Sequence, residues 1–390
     1  MNTLDELLIK YCPNGVIFKN LEDICNVLDR QRKPVSSGAR VAGEYPYYGA
    51  NGIQDYVSDY IFDGAFVLVG EDGSVITKSG KPVVTWAEGK IWVNNHAHIV
   101  SEKKGVKLRY LFHYLQTVDI SHLVHGNIPK LTVGDLKAIK VPVPPLEVQD
   151  EIVRILDNFT ELTAELTAEL TARKEQYDYY RDKLISESNG NMGKLIDLLS
   201  QPITDGPHTT PKFYNEGVPF VSATAIHEGR VHLSEAQGLI SEEFDIECSK
   251  KYKPRKHDVY MVKSGSTTGK VAYVDFDDNF NIWSPLAAMR ASNPITARYI
   301  YHLLQTRSVQ EMVLSRMSHG SQPNLSMRVL EQFDIKIPSF EDQKRIVNIL
   351  DKFEHIANNT FAGLPAEITA RQKQYEYYRE KLLTFKEAKA

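Results

Sequence analysis

The hydrophobic pattern of this 390-residue chain changes character along its length, and then the changes repeat. Residues 1–145 carry short apolar or alternating runs: Phe66–Val69, Ser74–Thr77, Val83–Trp86, Ile91–Val93 and Ala97–Val100. Turn dipeptides punctuate them at Asn14-Gly15, Asn51-Gly52, Asp63-Gly64 and Asp72-Gly73. Runs of this length between Asx-Gly turns predict strands and hairpins. Leu4–Tyr11 predicts a short amphipathic helix and Lys107–Thr117 a second. A strand ends at Val141–Pro145, where prolines stop the strand and open a helix. From Glu147 the period changes. Ile152, Ile155, Phe159, Leu162, Leu166, Tyr177, Tyr180 and Leu184 line one face at helical spacing. They predict one helix to Ser186, about forty residues and roughly 60 Å long.

A lone helix of that length with an apolar stripe needs a partner, and the chain contains one. EVQDEIVRILDNF (Glu147–Phe159) recurs as EDQKRIVNILDKF (Glu341–Phe353). ARKEQYDYYRDKL (Ala172–Leu184) recurs as ARQKQYEYYREKL (Ala370–Leu382). The front parts align at an offset of 194 residues and the back parts at 198. Between them the first copy carries TAEL twice (Thr163–Leu170), the second FAGLPAEI (Phe361–Ile368). Pro365 predicts a break in the second helix. The globular segments share landmarks as well. RYLFHYLQT (Arg109–Thr117) returns as RYIYHLLQT (Arg298–Thr306), and HGNIPKL (His125–Leu131) as HGSQPNL (His319–Leu325). Between these landmarks the two halves have little in common. A duplicated frame predicts a pseudo-twofold α+β molecule. In it two mixed α/β globules alternate with two long helices that pair antiparallel as a coiled coil. The expected boundaries are 1–145, 146–188, 189–338 and 339–390. For the helix pair, Ile152, Ile155, Leu156, Phe159, Leu162 and Leu166 are expected to pack on Ile346, Ile349, Leu350 and Phe353.

Composition adds exclusions. Three cysteines (Cys12, Cys25, Cys248) with no C-x-x-C pair fit a reducing cytoplasm and no thiolate metal site. No apolar run is long enough to span a bilayer, and the N-terminus lacks a signal-peptide pattern. The net charge of −4 is unevenly spread. Glu147–Glu187 holds eleven acids and five bases, −6, which leaves +2 for the remainder. A nucleic-acid-facing surface is therefore local, and the first long helix is not part of it.

Candidate chemistry is sparse. SGSTTGKV (Ser264–Val271) is one residue short of a Walker loop, and Val271 stands where Ser or Thr would hold magnesium. It reads as a polar turn able to face a DNA phosphate. No adenosylmethionine turn, Asn-Pro-Pro-aromatic tetrad, Gly-x-Ser-x-Gly elbow or His-Glu-x-x-His occurs. His96 and His98 share a strand face but lack further metal ligands, and a structural or DNA-contacting role is favoured. The His-Gly pairs at 125 and 319 fit a shared turn better than a pair of catalytic bases. No catalytic or metal-binding residue is therefore assigned. Basic and aromatic clusters do lie in the variable middles. They nominate as DNA-contacting Arg32, Lys33, Tyr47, Tyr48, Asn51, Lys78, Asn95 and His96 in the first globule. In the second they nominate Thr209, Lys251, Lys253, Lys263, Ser264, Ser266 and Thr267.

These motifs together resemble the specificity subunits of type I restriction–modification systems. The resemblance covers the whole layout and is strongest over residues 141–185 and 335–384. The TAEL copies with the QYxYYRxKL ends resemble the subgroup in which TAEL varies in number. The resemblance implies that each globule is a target recognition domain reading one half of a bipartite, asymmetric site on double-stranded DNA. It implies that the helices set the spacer and dock two modification subunits, with Tyr177, Tyr180, Tyr375 and Tyr378 as the docking face. Restriction subunits would complete the complex. Adenosylmethionine, ATP and magnesium would sit on the partners, leaving this chain without cofactor or catalysis.

Overall fold

The computed structural model describes residues 3–73, 75–318, 322–358 and 363–388. Its elements run α1 (Thr3–Tyr11), β1 (Phe18–Asn20), α2 (Leu21–Ile24), β2 (Cys25–Val27), β3 (Ala42–Gly49), β4 (Gly52–Val57), β5 (Phe62–Gly70), β6 (Val84–Val93), β7 (Ala97–Glu102), α3 (Leu108–Leu115), α4 (Val133–Ala138), β8 (Lys140–Pro142) and α5 (Leu146–Ser186). Then follow β9 (Gly190–Lys194), β10 (Thr204–Asp205), β11 (Val218–Val221), β12 (Ile226–His227), β13 (Arg230–Val231), β14 (Gly238–Ile240), α6 (Glu242–Lys251), β15 (Val259–Val262), β16 (Val271–Tyr273), β17 (Asn281–Ile282) and β18 (Leu286–Met289). The chain closes with α7 (Pro294–Leu304), α8 (Arg307–Arg316), α9 (Met327–Glu331), β19 (Asp334–Pro338), α10 (Phe340–Asn358) and α11 (Leu364–Leu382). Contacts divide it into two compact units, Met1–Glu165 with Ile368–Ala390, and Leu166–Glu367. Both α5 and α11 run from one unit into the other.

The first unit is built on a six-stranded sheet of order β2-β7-β5-β6-β3-β4. Its centre obeys the two-residue period of a strand. Val67, Val69 and Val100 turn to the helices, where they join Leu108, Tyr110, Leu111, Ile152 and Leu156. Phe66, Leu68 and Ile99 turn to the opposite core with Phe62, Ile91 and Val93. Each such buried side chain stabilises by about 1.5–3 kcal/mol. Two short predicted strands, Val83–Trp86 and Ile91–Val93, are one ten-residue strand, β6. Gly89 sits opposite Gly64 with φ +83°, so the expected turn residue lies inside the ladder. Ile76 makes only an isolated bridge to Pro82, while Ser74 lies outside the described residues.

The second unit has a six-stranded sheet of order β10-β18-β15-β16-β13-β12. Position for position it repeats the first sheet, including one parallel pair, β3–β6 or β13–β16. Val259, Met261, Ala287 and Met289 face the helices, and Tyr260, Val262, Leu286 and Ala288 the other core. The variable middles, unlike in sequence, thus share a scaffold. Asn293 caps α7 by accepting the Thr296 amide at 2.9 Å, with Pro294 in the first turn. The predicted break in the last helix lies between α10, ending at Asn358, and α11, with Pro365 in its first turn.

The helix packing corrects the sequence expectation. Ile152 and Leu156 are buried in the first unit's core, against Tyr375, Tyr378 and Leu382 of α11. Ile155 is half-buried there, and Phe159 stacks on Tyr378 at 5.4 Å between ring centroids. Ile346 and Leu350 are buried in the second unit's core with Tyr177 and Ile185 of α5. Ile349 is half-buried and Phe353 stacks on Tyr180 at 5.3 Å. Leu162 is exposed and Leu166 half-buried. The front part of each repeat therefore takes its partner from the back part of the other copy. Antiparallel pairing requires this, since it sets the start of one helix beside the end of its partner.

Candidate nucleic-acid interface

In both units the loops that end the central strands converge on one sheet edge, and the backbone there is duplicated. After β5, Glu71 donates its amide to His96 O at 2.8 Å and accepts from the Leu131 amide at 2.9 Å. After β15, Lys263 donates to Pro285 O at 2.8 Å and accepts from Leu325 at 2.7 Å. Gly73 binds Pro129 O at 3.0 Å and Gly265 binds Pro323 O at 2.9 Å. This explains the repeated PKL and PNL sequences, which anchor these loops. Both glycines have positive φ, which favours glycine there.

On this common backbone the two units place different charges. In the first, Asp29 follows β2 and accepts the Ile99 amide at 3.0 Å. Its other oxygen meets His98 Nδ1 at 2.6 Å, while His98 Nε2 donates to Leu131 O at 2.9 Å. Burial pushes the Asp29 carboxyl up, but the His98 hydrogen bond and charge, the Ile99 amide and Arg32 outweigh it and hold it below the usual range. Arg32 ties Ala97 O at 2.8 Å and pairs with Glu71. In the second unit Asp205 stands at the matching place, opposite Ala287. It pairs with Lys251, with buried Lys263 at 3.3 Å and with His208 at 3.3 Å. The loop after it is pinned. Gly206 lies so close to Ile282 O that an added Cβ would sit 1.8 Å away, and Ser284 donates to Pro207 O at 3.3 Å.

The nominated residues divide accordingly. Lys33, Asn95, His96, Thr209 and Ser266 are exposed on the loops at this edge, with Ser264 and Thr267 half-buried. Asn51 and Lys78 are exposed in other turns, Asn51 in the β3–β4 turn. Arg32, Lys251 and Lys263 are held by internal carboxylates, and Lys253 by Asp245 at 3.0 Å, so they shape loops. Tyr47 and Tyr48 are core residues, contrary to expectation. Their strand is covered on both faces, and the Tyr47 hydroxyl is taken up by the Val35 amide at 3.0 Å and carbonyl at 3.2 Å. His96 is exposed and pairs with Asp72, whereas His98 is fully buried, so the two do not form a ligand pair. The His125 backbone pairs with Lys130 in a turn, and His319 lies outside the described residues. In the Walker-like loop the amides of Thr268, Gly269 and Lys270 bond to carbonyls of Gly265, Val262 and Thr267, so they do not cradle a nucleotide. Sequence reasoning missed exposed His208 and Lys212. Their signal was the Pro- and Thr-rich run DGPHTTPK (Asp205–Lys212), which reads as a surface loop.

The four nominated docking tyrosines also require correction. Tyr177 donates its hydroxyl to His302 Nδ1 at 2.9 Å, and Tyr375 to His113 Nδ1 at 3.0 Å. Tyr180 and Tyr378 are engaged in the stacks described above. Helical geometry turns the tyrosine lying between the two in each helix outward: Tyr179 is 59% exposed and Tyr377 61%. Lys183 reaches over Tyr179, and Lys381 over Tyr377.

The family model described as the type I restriction modification DNA specificity domain matches residues 13–175 and again 204–370. The chain is similar to a putative type I restriction enzyme specificity subunit of Haemophilus influenzae, 38% identical over 95% of this chain and 96% of that one. A type I restriction enzyme specificity subunit of Escherichia coli is 35% identical over 71% of each chain. In fold it resembles the crystal structure of an S subunit of a type I system from M. genitalium (TM-score 0.58, 14% identity, 95% of this chain and 97% of that).

Proposed function

The chain belongs to the type I restriction–modification DNA specificity family, and we propose that it is the sequence-reading, non-catalytic subunit of such a complex. One observation carries the reading: the same sheet edge, hung on the same backbone bonds, presents different side chains in the two units. A repeated mount with a variable face suits two readers of two unlike half-sites. Exposed Lys33, Lys270 and Lys212 supply phosphate contacts, and Asn95, Thr209 and Ser266 the hydrogen-bonding side chains that distinguish base edges.

The reading domains are 1–145 and 189–338, joined by helical segments 146–188 and 339–390. The helices set the spacer between half-sites on double-stranded DNA. Two modification subunits dock on the helices, at the repeated exposed pair Tyr179 and Tyr377 in place of their neighbours packed within the units. Those subunits bring adenosylmethionine. Restriction subunits bring ATP-driven cleavage with magnesium. The assembly works in the cytoplasm, and no described helix is long and apolar enough to cross a membrane.

Deleting Thr163–Leu166 tests the ruler. It shortens α5 by about 6 Å and rotates its end by about 40°. A base-pair step is about 3.4 Å and roughly 35°. With the modification subunit encoded beside this chain, in a host lacking adenine methylation, single-molecule sequencing is expected to show unchanged half-sites. The spacer should be shorter by one or two base pairs. Altered half-sites, or methylation that persists when this chain is omitted, would refute the assignment.

A further inference from the structure

Each unit contains one four-residue hydrogen-bonded joint, and the two joints are built from corresponding residues. In the first, Asp157 Oδ1 accepts from Arg109 Nε and His113 Nε2, both at 2.8 Å, and His113 Nδ1 accepts from Tyr375 at 3.0 Å. In the second, Asp351 Oδ1 accepts from Arg298 Nε at 2.7 Å and His302 Nε2 at 2.8 Å, and His302 Nδ1 accepts from Tyr177 at 2.9 Å. Both histidines are wholly buried. The carboxylate fixes the proton on Nε2, leaving Nδ1 as an acceptor aimed at the tyrosine. The Arg and His come from a globule helix, α3 or α7. The Asp belongs to the helix that follows that globule, and the Tyr to the other copy of the repeat. The joint is thus where a reading domain is fixed to the long helices.

The nearby contacts differ from the joint in what they connect. Other hydrogen bonds each join a globule to one long helix, as Gln149 Oε1 accepts from the Lys107 amide at 2.8 Å, Gln343 Oε1 from Thr296 at 2.9 Å and Gln116 Oε1 from Arg379 at 3.0 Å. Each buried histidine instead ties a globule helix to both copies of the repeat at once. Phe159 on Tyr378 and Phe353 on Tyr180 add near-parallel stacks, at 16° and 18°. A buried hydrogen bond weakens steeply when bent. We propose that His113 with Tyr375, and His302 with Tyr177, are positioning residues for spacer fidelity: they hold each reading domain at one angle, so that only one spacing between half-sites is accepted. This rests on the DNA-reading assignment above. A site longer or shorter by one base pair would require a displacement of about 3.4 Å and roughly 35°, which the intact joints refuse.

The test compares Tyr375→Phe, Tyr177→Phe and the double variant with the wild-type chain, each co-expressed with the modification subunit in a host lacking adenine methylation. Phenylalanine keeps the ring and removes only the donor. Single-molecule sequencing is expected to show the same half-sites, with methylation at spacers one base pair longer or shorter rising at least tenfold over wild type, most in the double variant. In the purified chain, ¹⁵N spectra should show the Nδ1 resonance of His113 or His302 shift as its donor is lost. Tyr114→Phe removes a hydroxyl bound to Lys140 O, away from the joint, and should leave the spacer unchanged. Variants that assemble and methylate only the native spacing would overturn the inference. So would a uniform loss of methylation with an unchanged spacer distribution, which marks a merely structural bond. A wild-type complex without any bipartite motif would show in the wild-type arm and sink the DNA-reading assignment itself.

Discussion

Arg290→Met should destabilise the second unit through a specific buried pair. The β15–β18 register sets Val259 opposite Met289, so Asp258 and Arg290 meet at the end of the ladder. Arg290 grips Asp258 with both ends of its fork, Nε to Oδ1 at 2.7 Å and Nη2 to Oδ2 at 2.6 Å, and also donates to Lys253 O at 2.8 Å. Asp258 is 1% exposed. Removing one member of a buried pair costs about 3–5 kcal/mol, chiefly because the other charge stays buried. Here the low end applies, since the Arg255 amide at 2.8 Å and the Tyr252 hydroxyl still hold the carboxylate. A loss of about 3 kcal/mol lowers Tm by about 6–12 °C for a unit of this size. Of the three tryptophans only Trp283 lies in the second unit, so urea unfolding in a Trp86→Phe, Trp92→Phe background reports that unit alone. The double variant Asp258→Leu, Arg290→Met removes both charges and should cost less than the sum of the singles by about 1–3 kcal/mol. A single-variant loss under about 1 kcal/mol, or strict additivity, would refute the reasoning.

Acid should weaken both joints. Burial pushes the His113 and His302 imidazoles below 6.5, more than their aspartates raise them. The folded state then takes up the proton less readily than the unfolded one, so this contribution is full above about 6.5 and is lost as pH falls through the folded value. The urea midpoint is expected to hold level down to about pH 6.5 and decline below it, less steeply in His302→Asn; a midpoint that rises on acidification would contradict this. Gly206→Ala would drive a Cβ to 1.8 Å from Ile282 O, so the loop after Asp205 must move. Binding measured on DNA with each half-site scrambled in turn should lose the second unit's contribution and keep the first. Lys33→Ala and Lys270→Ala should each reduce the slope of log affinity against log salt by about one, uniformly across sequences; an unchanged slope would remove that lysine from the phosphate contacts.

The frame was legible because repetition reports on itself. RYLFHYLQT, LDNF and QYDYYR recur in the same order, and in the fold Arg109, His113 and Asp157 of the first copy meet Tyr375 of the second copy's QYEYYR. What escaped was pairing register and face. Matching halves invited like-with-like packing, although an antiparallel pair joins start to end, and Tyr177 differs from Tyr179 only by a fraction of a helical turn. The shared sheet order escaped for another reason. A ladder is held by backbone atoms, so β5 and β15 can occupy one position with Phe66–Val69 in one and Val259–Val262 in the other. Tyr47 and Tyr48 misled because a strand of aromatics reads the same whether it is covered or open.

The middle of α5 satisfies its own polar groups. Thr160, Thr163 and Thr171 return their hydroxyls to the carbonyls of Leu156, Phe159 and Thr167, at 3.1, 2.8 and 3.0 Å. Ala164, Glu165, Ala168 and Glu169 face solvent, and Glu169 pairs with Arg173 one turn on. Such a segment makes few demands on its surroundings. A further TAEL brings its own acceptor for its own hydroxyl and keeps the alanine and glutamate outside. On the function proposed above, this stretch is a gauge that can be reset: gain or loss of one TAEL unit would alter the interval between two unchanged words in a single step.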